Sequence, residues 1–205
     1  MKLYDSIGPN PRVVRIFLAE KGVRLPVEKV DLMGGENRKA PYLEKNPAGQ
    51  CPCLELDDGS TLAEILPICE YLEELHPEPP LVGTTPEERA ETRMWARRID
   101  LNVAENTFNG FRFAEGLPLF QDRLHVIPAA ADDLKAIVQE KLAWLDGLLE
   151  GRPWVCGDRF TLADVLLFAV LEFGAGVGQP MKDGLAWLPG WYERVAKRPA
   201  VEASK

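Results

Sequence analysis

Residues 46–72 read NPAGQCPCLELDDGSTLAEILPICEYL, and the order of elements in this stretch decides the fold. Asn46-Pro47 and Gly49 break whatever precedes them. Cys53–Leu56 is short, apolar-leaning and partly alternating, which predicts a strand. Asp58-Gly59 is a two-residue hairpin signal, because both central positions favour positive φ. A second short strand follows. Ile65, Ile68, Cys69, Leu72 and Leu75 then recur at helical spacing, and Pro67 fits such a helix only in its first turn.

Two details of the stretch point to a ligand. Pro52, at the mouth of the first strand, has no N–H for a ladder, and cis X-Pro bonds are kept mainly in tight, specified turns. A cis Cys51-Pro52 bond would turn the N–H and C=O of Cys51 outward, where they can pair with an extended peptide as an added strand does. Glu64 lies at the strand-to-helix junction, where helix amides are free to bind a carboxylate. A backbone clamp, an acid for an ammonium and bare amides for a carboxylate describe a site for a short peptide. The residues alone equally allow a trans bond, an ordinary first-turn acid and no ligand.

Upstream, Lys2–Asp5 reads as a strand and Ser6–Pro11 as a loop, since it holds Gly8, Pro9 and Pro11. A helix is predicted from Arg12, with Val13, Ile16, Phe17 and Leu18 apolar and Gly22 as the stop. Pro26–Leu32 reads as a second strand, and Met33–Tyr42 as a polar, Gly-rich loop with a short helix. The order is β-α-β, a variable segment, then β-β-α, and the right-handed crossover rule makes the first two strands parallel.

Downstream, His76-Pro77-Glu78-Pro79-Pro80 ends the helix and opens a linker, residues 79–86. Thr85, Pro86 and Glu88 start a new helix with a cap, a first-position proline and a capping box. The pattern is helical from there, interrupted at residues 116–118 and 151–153. Leu134, Ile137, Val138, Leu142, Leu145 and Leu149 make one apolar face. Thr161 and Asp164 form a second capping box before a nearly all-apolar, hence buried, helix. The division is 1–78 as an α/β unit and 87–205 as an all-α unit.

At 205 residues the chain can bury a sizeable core in one or two domains. With 24 basic against 32 acidic residues it carries −8, which argues against nucleic acid and against a polybasic membrane contact. The opening MKLYDSIGPNP has no apolar leader region, and no apolar run nears the ~20 residues that span a bilayer. Cys51, Cys53, Cys69 and Cys156 form no C-x-x-C pair, and with two histidines they give no metal-ligand pattern. Reduced thiols in a cytoplasmic protein are expected.

N-P-x-G-x-x-P-x-L, then D-G-x-x-L-x-E and an apolar helix ending in Tyr71-Leu72, resembles the glutathione-binding half of the cytosolic glutathione S-transferases. The resemblance continues in GDRFTLADVLLFAVL (157–171) and WLPGWYERVAKRPAV (187–201), so it covers nearly the whole chain. It implies a thioredoxin-like first unit, an all-helical glutathione-transferase second unit, glutathione as co-substrate, no metal, and a homodimer. The implied activity is thiolate attack by glutathione on a hydrophobic electrophile, or a related reduction or isomerisation. The alternative is a non-catalytic binding or interaction module on the same fold.

Residue by residue, the resemblance makes Cys51 the backbone partner of the cysteinyl part, Pro52 the cis-proline and Glu64 the acid at the γ-glutamyl end. Ile65 stands where the family usually has Ser or Thr, which leaves only its backbone N–H for the γ-glutamyl carboxylate. Gln50, Arg38 and Lys39 are candidates for the glycyl end. The thiol-activating residue belongs in the loop after the first strand. There Ser6 falls near the Tyr position of one large class, Gly8 near a Ser position and Asn10 near the Cys position. Gly8-Pro9-Asn10 also resembles the Thr-Pro-Asn loop of a bacterial group, so Asn10 is the first candidate and Ser6 the second. Trp95, Arg98, Leu101, Asn102, Glu105 and Phe108 can share a helix face for a hydrophobic substrate between the units, with Phe111, Phe113 and Met181 closing it.

Overall fold

The computed structural model describes residues 1–205. Two compact units emerge, Met1–Leu81 with Arg198–Lys205, and Val82–Lys197. In the first, β1 (Lys2–Asp5), β2 (Val27–Lys29), β3 (Cys53–Glu55) and β4 (Thr61–Ala63) form a sheet of order β2-β1-β3-β4. Leu3 lies opposite Val27 in the parallel β1–β2 pair and opposite Leu54 in the antiparallel β1–β3 pair. Leu54 in turn faces Leu62 in the antiparallel β3–β4 pair. The helices are α1 (Pro9–Lys21), α2 (Ala40–Leu43) and α3 (Ile65–Leu75). Leu3, Val13, Phe17, Leu54, Ile68 and Leu72 are fully buried, so sheet and helices share one core. This is the expected thioredoxin-like arrangement.

Three details depart from the sequence reading. α1 begins at Pro9, not Arg12. Gly8 is the N-cap at φ 112°, a conformation that favours glycine. Pro9 and Pro11 then fall in the first turn, where a missing N–H is no loss. The prolines taken as loop residues therefore open the helix. The second strand is only Val27–Lys29, shorter than Pro26–Leu32.

The third departure is the tail. α10 (Pro199–Ala203) and its flanks pack in the first unit, although 87–205 was assigned whole to the second. The buried Arg12 guanidinium donates to Ser204 Oγ at 2.7 Å and to the Val201 carbonyl at 3.0 Å. Arg15 Nε donates to the Ser204 carbonyl at 3.0 Å, and its Nη1 pairs with the buried Asp5 carboxylate at 2.7 Å. Arg198 forks onto Glu20 at 2.6 and 2.8 Å. The arginines of α1 thus serve the tail rather than an open surface.

The second unit is helical: α4 (Pro86–Ile99), α5 (Glu105–Arg112), α6 (Leu117–Phe120), α7 (Ala131–Leu149), α8 (Leu162–Gly176) and α9 (Leu188–Ala196). Thr85 caps α4 by accepting from Glu88 N–H at 3.2 Å. A π-helical stretch, Asp100–Ala104, joins α4 to α5 and shifts the faces on its two sides relative to each other. α8 is buried on every residue from Leu162 to Leu171.

The Thr161–Asp164 capping box starts α8. The Asp164 carboxylate accepts from Val155 N–H and Thr161 N–H, both at 2.9 Å, and from Trp191 Nε1 at 2.8 Å. Burial nevertheless pushes its carboxyl up to about 6, against the pull of those donors. One non-helical feature went unread: Trp154–Gly157 and Cys156–Arg159 bridges fold the segment before α8 into a small antiparallel turn, which delivers the Val155 amide to Asp164.

Candidate functional site

An open depression in the first unit, with about 200 Å³ of free space, is lined by Asn10, Asn46, Gln50, Cys51, Pro52, Glu64 and Ile65. Three chain segments meet there: the start of α1, the turn before β3, and the junction of β4 with α3.

The turn is held from below by buried side chains. Asn37 Nδ2 donates to the Gly49 carbonyl at 2.6 Å. The Tyr42 hydroxyl at 2.6 Å and Asn46 Nδ2 at 2.8 Å both donate to the Gln50 carbonyl. Asn46 Oδ1 accepts from Ala48 N–H at 3.1 Å, an Asx turn. Gly49, at φ 62°, has no room for a Cβ, which would meet Arg38 Nη1 and the Asn37 carbonyl at 3.0 Å each. The Cys51-Pro52 bond is cis. Outside the ladder, the Cys51 N–H and C=O have no backbone partner in the chain, as an added strand requires.

The Cys51 side chain points the other way, into a buried cluster with Tyr4, Val30, Tyr42 and Cys53. Its Sγ lies 3.2 Å from the Tyr42 hydroxyl. Burial pushes the Cys51 thiol up, and it pushes the Cys53 thiol up to about 11. Both sulfurs are therefore held as neutral core thiols, unsuited to act as nucleophiles at neutral pH.

Glu64 is the one non-glycine residue with positive φ, at φ 68° and ψ 133°. Holding it there stores on the order of 1–3 kcal/mol of backbone strain, which is characteristic of ligand sites. Its exposed carboxylate stands at the N-cap of α3, which has no side-chain cap. The amides of Ile65 and Leu66 open the helix, and Pro67 brings none. Ile65 is only 8% exposed, so its side chain fills the wall and offers a ligand nothing but its backbone.

Asn10 sits in the first turn of α1, half-buried, and its side chain does not cap the helix. Its amide reaches the depression at the positive end of the helix dipole. Ser6 does not: it is buried and donates its Oγ to the Val30 carbonyl at 2.7 Å, tying the loop to the strand. Arg38 and Lys39 are exposed and lie outside the lining. Tyr4 is core, with its hydroxyl on Glu55 at 2.8 Å.

In the second unit the candidate substrate residues differ in burial. Trp95 is 3% exposed and faces the interior. Arg98 stacks on its ring at 4.8 Å, and Asn102 donates back to the Arg98 carbonyl at 2.8 Å. Beyond the π-helical stretch, Glu105 is exposed, and Phe108 meets Phe173 edge-on at 5.7 Å. The π-helical stretch Asp100–Ala104 lies between Arg98 and Glu105.

Asn46 is the lining residue that the sequence reading passed over, although Asn before Pro in a turn is a usable signal. Tyr42 and Asn37, which hold the turn, carry no such signal.

Comparison with known proteins agrees with this geometry. Residues 7–75 match the family described as glutathione S-transferase, N-terminal domain, and residues 118–199 the one described as glutathione S-transferase, C-terminal domain. Glutathione S-transferase 2 of Saccharomyces cerevisiae is 35% identical over 98% of this chain and 88% of its own length. Glutathione S-transferase GstA of Escherichia coli O157:H7 is 32% identical over 98% of this chain and 96% of its own. The crystal structure of a glutathione S-transferase domain-containing protein from Marinobacter aquaeolei superposes with a TM-score of 0.92 at 36% identity, covering 98% of this chain and 100% of that one. With both units matched, a cis-proline clamp and a bare helix start at the head of α3, the chain belongs to the glutathione S-transferase family and is a glutathione transferase that takes glutathione as its co-substrate.

Proposed function

We propose that glutathione lies across the depression with its cysteinyl backbone on Cys51, its γ-glutamyl end at Glu64 and the Ile65 amide, and its thiol beside Asn10. The observation that carries this reading is the convergence of Asn10, Gln50, Cys51, Pro52, Glu64 and Ile65 on one surface. The Asn10 amide donates to the sulfur, and the dipole of α1 favours the thiolate over the thiol. The thiol proton leaves to solvent, and the thiolate bonds to the electrophilic carbon of a hydrophobic second substrate as that carbon's leaving group departs with its electron pair, or, in an addition, as the displaced π pair takes up a proton from solvent. The Ser6 hydroxyl is already engaged with the Val30 carbonyl, which favours Asn10 as the thiol's partner. Family kinship and the prevalence of two-fold assemblies support a homodimer. No helix is long and apolar enough to cross a membrane, and cytoplasmic residence fits reduced thiols.

A thermal shift with reduced glutathione tests the site. At a hundred-fold excess over Kd, binding should stabilise the fold by about 2.7 kcal/mol. Loss of the shift in Glu64→Ala would support the placement, whereas no shift in the wild type at ~10 mM glutathione would overturn it.

A second reading is favoured by Ile65, which cannot donate a side-chain hydrogen bond. A missing bond to a charged group weakens binding by about 1.5–3 kcal/mol. The chain would then bind glutathione weakly and act as an interaction module. Turnover of a generic electrophile that falls in Asn10→Ala would exclude that reading.

A further inference from the structure

Tyr42 lies in α2 and is 4% exposed, below the turn that carries Cys51. It is not among the residues that line the depression. Its hydroxyl donates to the Gln50 carbonyl at 2.6 Å and lies 3.2 Å from Cys51 Sγ. The one hydroxyl proton is committed to Gln50, so the Cys51 thiol is the donor in the second contact. The Cys51 S–H, the Tyr42 O–H and the Gln50 carbonyl thus form a closed chain around a single peptide unit. Asn46 Nδ2 gives the same carbonyl a second donor at 2.8 Å. Burial pushes the Tyr42 hydroxyl and the Cys51 thiol up, so both keep their protons at neutral pH.

The cis bonds of the chain are Cys51-Pro52 and Glu78-Pro79, so the Gln50-Cys51 unit is trans. In a planar trans unit the C=O and the N–H point in opposite directions. Donors that draw the Gln50 carbonyl toward the core therefore turn the Cys51 N–H away from it, toward the depression that Cys51 lines. The Cys51 N–H has no backbone acceptor of its own. Its direction is set through the carbonyl at the other edge of the plane.

We propose that Tyr42 is a positioning residue for glutathione: by holding the Gln50 carbonyl inward, its hydroxyl aims the Cys51 N–H at the cysteinyl carbonyl of the tripeptide. The proposal rests on the glutathione placement above and deepens it by naming what sets the direction of the clamp. Tyr42 acts through the peptide unit and not on the reacting sulfur.

The test is Tyr42→Phe, which deletes the hydroxyl and keeps the ring, beside Tyr4→Phe. Tyr4 packs edge-on against Tyr42 at 6.1 Å and gives its hydroxyl to Glu55 at 2.8 Å, outside the depression. Its variant reports what a lost hydroxyl in the same cluster does to the fold alone. Tyr42→Phe should raise the glutathione KM, with chlorodinitrobenzene as electrophile, about five-fold. The kcat at saturating glutathione should stay within about two-fold, because the lost interaction serves ground and transition states alike. Calorimetry with reduced glutathione should show the same rise in Kd without any electrophile. Tyr4→Phe should leave KM and Kd unchanged, whatever it does to the melting temperature. An unchanged Kd in Tyr42→Phe, equal rises in both variants, or a fall in kcat with KM unmoved would overturn the positioning role and leave the glutathione placement standing. A wild type that binds no glutathione would overturn both.

Discussion

Two helices, α3 and α8, begin in opposite ways. At α8 every accessible device is used. Thr161 accepts from the first turn, and the fully buried Asp164 reaches back to Thr161 N–H and sideways to Val155 and Trp191. At α3 none is used. Glu64 is strained and exposed, no side chain caps the turn, and the next residue is an isoleucine. An uncapped start is normally a loss of about 1 kcal/mol. The chain caps the helix start inside the core and leaves bare the one where the γ-glutamyl carboxylate is proposed to bind.

The largest effect should come from unsealing α8. Asp164→Ala orphans two buried amides and the Trp191 indole N–H, and should cost about 3–5 kcal/mol in urea unfolding. If the loss stays below about 1 kcal/mol, α8 is no better sealed than α3 and the contrast fails.

The same carboxyl gives a pH signature. Its folded value of about 6 lies above the unfolded 3.8. The folded chain therefore holds a proton that the unfolded chain has released between those values. Its contribution should fall as pH rises through that window, by about 3 kcal/mol in all, and stay flat above it. Unfolding free energies of wild type minus Asp164→Asn, measured across pH 3–8, should isolate the slope. A difference that does not vary with pH would mean that Asp164 titrates normally.

Asn10→Ala, at the third helix start, should lower kcat/KM about a hundred-fold, equivalent to about 2.7 kcal/mol, with the unfolding midpoint unchanged. A joint fall in stability would make Asn10 a structural cap like Thr161.

Ile65→Ser places a side-chain donor at the start of α3. Glutathione should bind about ten-fold more tightly by calorimetry, about 1.4 kcal/mol, while the lost apolar burial lowers stability. The smallest effect is Glu64→Gly, which relieves the positive φ and should stabilise the fold by up to about 1 kcal/mol while abolishing glutathione binding. If that variant still binds, the carboxylate is not the ammonium partner.

Most of this contrast was legible in the sequence. Thr161–Asp164 is a local pattern, and so are Asp58-Gly59 and the helical spacing from Ile65. The cis bond before Pro52 was a conditional reading that the structure meets. What could not be read depends on residues distant in the chain. Nothing local says that the Ser6 hydroxyl is taken by Val30, or that Trp191 donates to Asp164. The strain at Glu64 leaves no mark, because positive φ is announced by glycine and not by glutamate. The π-helical stretch after Ile99 is equally silent, so a single helical period does not run unbroken from Trp95 to Phe108.

The tail has a consequence for how the protein is made. Arg12 and Arg15 leave the ribosome early, but the carbonyls and hydroxyl that receive them belong to Val201 and Ser204. The glutathione-binding unit is therefore the first to be started and the last to be finished. While the helical segment is being synthesised, Arg12 in the nascent first unit lacks its Ser204 and Val201 acceptors, and Arg15 lacks the Ser204 carbonyl. A ribosome stalled before Val201 would hold a first unit without these tail acceptors, although every residue lining the depression had already been translated.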